Sequence, residues 1–186
     1  RDVERSRGLG DVYKRQFKAR TYPPLSDPNS KWTLVLMTRA EIGLLGSYNK
    51  YLKSPFETFY VGGDGMSGSY GYAQETIALR GYDNGVFTPW RSGDGYAYTR
   101  FTAELHFPFM LQPSTTIYGL AFLEGGNAWT DVKDVSPFNL KRSAGAGVRI
   151  YLPMIGMMGI DWAYGFDKVF GEKGGSHFHF ILGQEF

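Results

Sequence analysis

Apolar and polar positions alternate with a period of two along most of this chain. Between residues 32 and 45, Leu34, Leu36, Thr38, Ala40, Ile42 and Leu44 fall on one side. Thr33, Val35, Met37, Arg39, Glu41 and Gly43 fall on the other. Successive side chains of a strand point to opposite faces, so this alternation predicts a strand with a greasy side and a wetter side. Residues 96–107 repeat the design, with Ala97, Thr99, Phe101, Ala103, Leu105 and Phe107 against Tyr98, Arg100, Thr102, Glu104 and His106. Strands are likewise expected over 115–129, 140–152 and 158–166, and a short one over 17–22 before the breaker Pro23-Pro24. The last ten residues form the final strand, with Phe178, Phe180 and Leu182 on one face and His177, His179, Ile181 and Gly183 on the other. The chain ends on an aromatic, Phe186.

These strands run to about 10–14 residues, longer than the five or six usual in soluble sheets and enough for a tilted strand to cross a bilayer. The connections at 107–115 and 152–157 are short and marked by Pro, whereas the one at about 46–95 is long. Short turns at one end and long loops at the other are the habit of outer-membrane barrels. An amphipathic last strand alone would also suit a soluble sandwich; strand length and loop asymmetry favour the barrel.

Composition agrees with strands and turns: aromatics are 17% of the chain and there are 25 Gly. No apolar run is long enough for a transmembrane helix, which a barrel does not need. With no Cys, disulfides and thiolate metal sites are excluded. The first sixteen residues lack the alternation and resemble translated sequencing-adaptor read-through, so residues 1–16 are expected to be non-native and disordered, and 17–186 to be the domain. Setting them aside leaves as many basic as acidic residues, so the basic isoelectric point is no argument for nucleic acid.

Two motifs stand out. Phe59-Tyr60-Val61-Gly62-Gly63 precedes a Gly/Ser-rich stretch that leads to Leu79-Arg80-Gly81-Tyr82. Further on comes Phe122-Leu123-Glu124-Gly125-Gly126. Together with Ser143-Ala144-Gly145-Ala146-Gly147-Val148-Arg149 and Asp161-Trp162-Ala163-Tyr164-Gly165, these resemble the BamA family of outer-membrane assembly barrels, over residues 17–186. In that family a Val-Arg-Gly-Phe/Tyr tip of an extracellular loop folds back into the lumen, and a Phe-x-Asp-x-Gly motif lies on a late strand. Here Leu79 replaces Val and Glu124 replaces Asp.

The resemblance implies an all-β fold: the C-terminal portion of an antiparallel transmembrane β-barrel, about seven of roughly sixteen strands, with one long lumen-folded loop. It implies further strands and periplasmic POTRA domains upstream. It also implies the function of a bacterial outer-membrane factor that folds and inserts β-barrel clients through a lateral seam at its last strand. Phe178, Phe180, Leu182, Gly183 and Phe186 would mark that seam. The partners would be unfolded outer-membrane proteins, the lipid bilayer and accessory lipoproteins. A two-partner-secretion transporter shares the barrel and the loop tip, and a passive porin is the remaining alternative.

Strand parity adds a physical reading. Glu124 shares a face with Thr116, Tyr118, Leu120 and Phe122, opposite Ile117, Ala121 and Leu123; if the latter face lipid, Glu124 points into the lumen. A carboxylate there needs a partner, and Arg80 can give a bidentate contact. Gly81 would permit a tight turn, and Gly125 and Gly126 would leave room for a loop. Arg39 and Glu41 share the inner face and can pair. His177 and His179 lack a third metal ligand and read as lumen residues, and Gly62-Gly63-Asp64-Gly65 reads as flexible loop. Trp32, Trp129, Trp162 and the Tyr residues are expected in interfacial girdles. No catalytic constellation and no cofactor motif is found.

Overall fold

The computed structural model describes residues 12–27, 33–47, 58–65, 75–88, 95–112, 114–154, 156–169 and 174–183. Its strands are β1 (Val12–Thr21), β2 (Val35–Ser47), β3 (Phe59–Val61), β4 (Glu75–Ile77), β5 (Ala97–Gln112), β6 (Thr115–Trp129), β7 (Lys141–Leu152), β8 (Gly156–Gly165) and β9 (Ser176–Leu182). Seven of them form one antiparallel sheet in the order β1-β2-β5-β6-β7-β8-β9. Each neighbour in that sheet follows the previous one along the chain, apart from the short parallel pair β3-β4 inserted between β2 and β5.

The alternation places the faces. Phe17, Leu123, Ile160, Trp162, Phe178, Phe180 and Leu182 are exposed on the outer side. Arg39, Glu41, Arg100, Glu104, Glu124, Arg149, Asp161 and His179 are buried on the inner side. A greasy outside and a charged inside invert the order of a water-soluble domain and suit a partial barrel whose outer surface is solvated by lipid. The apolar core is a layer between the inserted segment and the inner wall: Phe59, Val61, Ile77, Leu79, Tyr82 and Phe87 pack with Leu45, Tyr98 and Val169.

Several elements differ from the sequence expectation. β1 starts at Val12 rather than residue 17, so 12–16 pair with β2 instead of being disordered. An antiparallel ladder is built from backbone groups, and no Pro interrupts this stretch, so the ladder continues whatever the side chains. β5 does not stop at Phe107 but runs through Pro108 to Gln112, with a register shift between Pro108 and Met110. A bulge accommodates a residue that has no N–H to give to the ladder. The stretch at Gly62 to Gly65 is ordered: Gly63 and Leu79 exchange backbone hydrogen bonds of 3.1 and 3.2 Å. Tyr82 and Tyr98 are buried in the core rather than placed in a girdle. Trp32 and Phe186 lie outside the described residues.

Candidate functional site

The described parts of the connection between β2 and β5, residues 58–65 and 75–88, lie against the inner wall, and their deepest point is Leu79-Arg80-Gly81-Tyr82. Local sequence explains the turn. Gly81 has φ of 87°, a left-handed conformation that costs Gly little and other residues more. A Cβ there would sit 2.9 Å from the Cβ of Ser143 on β7 and 3.0 Å from the Gly165 nitrogen, so the tip touches the wall where only a hydrogen fits. Gly126 serves the same end from the wall side: a Cβ on it would meet Leu79 at 3.2 Å and the Thr99 carbonyl at 2.8 Å. Gly125 faces Leu140 instead, at an ordinary 3.6 Å, so of the two adjacent glycines Gly126 makes room for the loop.

Arg80 has 0% exposure and is the largest fully buried side chain among the described residues. Its backbone N–H donates to Glu124 Oε2 at 2.9 Å, and its Nη2 donates to Glu124 Oε1 at 2.8 Å. Nη1 donates to Asp161 Oδ2 on β8 at 2.8 Å, and Nη2 also bonds Glu104 on β5. The guanidinium lies over the Phe122 ring, with Cζ 3.6 Å from its centroid. Planar delocalised charge suits both contacts, because the face stacks while the edge donates.

The three carboxylates have further partners. Arg100 Nη2 and Thr102 Oγ1 donate to Glu124 Oε1 at 3.0 and 3.2 Å. Arg149 on β7 makes a two-pronged contact with Asp161, with Nη2 2.7 Å from Oδ2. His106 Nε2 lies 2.9 Å from Glu104 Oε2. Arg80, Arg100 and Arg149 thus balance Glu104, Glu124 and Asp161 in a buried site. Burial works to lower the pKa of Arg80, but the charges of Glu124, Glu104 and Asp161 outweigh it and hold the guanidinium above its ordinary value.

Two contacts extend the tip beyond the charge cluster. The Gly81 N–H donates to His179 Nε2 on β9 at 3.0 Å. The Tyr82 hydroxyl donates to the Arg142 carbonyl on β7 at 2.6 Å and accepts from the Asp167 N–H at 3.4 Å. Burial pushes the Tyr82 phenol up to about 12. Arg142 in turn grips Asp167 through its side chain and backbone, which lowers the Asp167 carboxyl below its usual range.

The structure therefore brings together the two sequence motifs, Leu79 to Tyr82 and Phe122 to Gly126. It sets Phe178, Phe180 and Leu182 apart on the outer face of β9, with Gly183 just past the strand end at φ of 71°. Sequence reasoning missed Asp161, Arg149 and Glu104 as partners of the cluster and His179 as acceptor for the tip. Strand parity puts all four on the inner face of their strands but does not say which of them the tip reaches.

Compared with known families, residues 5–186 match the Omp85 superfamily domain. No curated protein sequence matches the chain.

Proposed function

The chain belongs to the Omp85 superfamily, a family of outer-membrane protein insertion or secretion factors, and from that premise we propose that it is part of an insertase. In this reading it is the C-terminal part of a barrel that folds β-barrel clients into the bacterial outer membrane. The seated loop tip carries the reading. Arg80 is held by carboxylates on β5, β6 and β8, and its neighbour Gly81 reaches β9. Such a clamp stiffens the wall up to its last strand while leaving the far edge of that strand for another partner.

The mechanism follows from strand chemistry. β9 runs Ser176–Leu182, and Gly183 just beyond it takes a left-handed φ of 71°, which interrupts the regular ladder there for whatever closes the barrel beside it. An incoming client strand adds to that edge by backbone pairing, and its outward side chains meet lipid beside Phe178, Phe180 and Leu182. The clamp keeps β5 to β9 in register while the seam exchanges partners. Upstream POTRA domains and accessory lipoproteins would deliver the client.

The test is reconstitution of the full-length parent in liposomes with a urea-unfolded outer-membrane protein. The folded fraction is followed by gel mobility without boiling. Folding faster than in protein-free liposomes supports the insertase. Passage of a soluble passenger with no gain in client folding supports the secretion arm of the superfamily, and ion conductance alone supports a porin.

A further inference from the structure

We propose that the inner wall carries a second site, next to the Arg80 clamp and sharing Arg100 with it, that binds a single small oxyanion such as phosphate or a carboxylate. A cavity of about 130 Å³ opens between β1, β2, β5 and the β4 segment, lined by Lys18, Arg20, Arg39 and Arg100 against Glu41 and Glu75. In the sheet register Arg20 stands directly opposite Arg39, a like-charge pair that is unfavourable without a counterion. The two carboxylates only partly meet the demand. Glu41 lies 3.8 Å from Arg39 and 3.9 Å from Arg20, beyond hydrogen-bonding reach. Glu75 is already held by Lys14 and Lys18.

The second observation is independent of that charge count. Arg39 and Arg100 are both more than nine-tenths buried. Among the described residues, Arg39 Nε and Nη2 and Arg100 Nε have no hydrogen-bond partner. Buried guanidinium donors are rarely left so, because each unmet one costs free energy. Two planar donor groups lining one cavity of this size fit an oxyanion, which accepts at several lone pairs at once. The site stands whether the parent inserts or secretes proteins, since it uses no residue of the loop tip.

The experiment is thermal unfolding of the full-length barrel in detergent. Phosphate, and in a parallel arm acetate, is titrated against chloride at constant ionic strength. The melting temperature is expected to rise saturably with the oxyanion and to stay flat in Arg39→Gln. In Arg39→Lys, which keeps the charge but loses the fork, half-saturation should move up about tenfold. A response to phosphate alone assigns a phosphoryl ligand, and a response to acetate assigns a carboxylate. If Arg39→Gln does not fold, Arg20→Gln on the more exposed strand should weaken the same response. Equal effects of all three anions, or an unchanged response in the Arg39 and Arg20 variants, would overturn the proposal.

Discussion

The backbone N–H of Gly81 and the Nε2 of His179 are 3.0 Å apart, a hydrogen bond between residues 98 positions apart in sequence. It joins the tip of the inserted loop to the last strand and requires an unprotonated Nε2. His179→Leu removes the acceptor and leaves a buried donor, at a cost of about 1–3 kcal/mol. Amide exchange at Gly81 should rise between about fivefold and about a hundredfold, since 1.4 kcal/mol is a factor of ten. His179→Gln, which keeps an acceptor, should recover much of the protection. Equal exchange in all three proteins would mean that the bond does not hold the tip.

Removing Arg80 takes one cationic partner from each of three buried carboxylates. Arg80→Ala is expected to cost about 3–5 kcal/mol and to slow client folding in the liposome assay. Arg80→Lys supplies the charge without the fork and should restore only part of either. Unchanged client folding at full barrel stability would count against the clamp as a functional part.

Glu124 meets both the backbone and the side chain of Arg80. Glu124→Gln keeps the shape but swaps one acceptor for a donor facing cations, and a loss of about 2 kcal/mol is expected in chemical unfolding. Thr102→Val, which removes a single neutral donor to the same carboxylate, should cost less, about 1 kcal/mol.

The adjacent glycines of β6 should respond differently. Gly126→Ala puts a methyl 2.8 Å from the Thr99 carbonyl and against Leu79, so about 1–3 kcal/mol of overpacking is expected. Gly125→Ala meets Leu140 at 3.6 Å and should be nearly silent. Melting temperatures of the two variants give the comparison directly.

Glu75 of β4 is held down to about 2: burial would raise it, but hydrogen bonds from Lys14, Lys18 and Gln16 outweigh that. Its folded value is depressed from 4.5, so the stability it brings is complete above that pH and is lost as pH falls toward 2. The partners are partly exposed, so screening leaves about 1 kcal/mol. Amide exchange in β4 should therefore rise across that acid window in the wild type and not in Glu75→Gln.

Much of the fold was legible because a barrel strand shows both faces in its sequence. Leu123 and Glu124 have opposite exposures in the structure and opposite characters in the chain. Strand ends were harder to place: Pro108 reads as a stop, and only tertiary pairing reveals the bulge that carries β5 past it. The Arg80 to Glu124 contact could be anticipated because each residue sits in its own motif. Asp161 and His179 could not be placed in the cluster, since how far a loop tip reaches across a sheet depends on curvature, which no local pattern encodes. The short β3-β4 ladder was equally hidden, as its parallel partners lie either side of a Gly/Ser-rich stretch with no period of its own.

The carboxylates that neutralise Arg80 come from β5, β6 and β8, strands formed by separate stretches of the chain. Full pairing of the guanidinium needs all three strands in register at once, because a lost partner leaves buried charge short of a contact. Arg80 thus ties the position of the loop tip to the register of the wall from β5 to β8. A slip of register anywhere along that stretch would be felt at this one side chain.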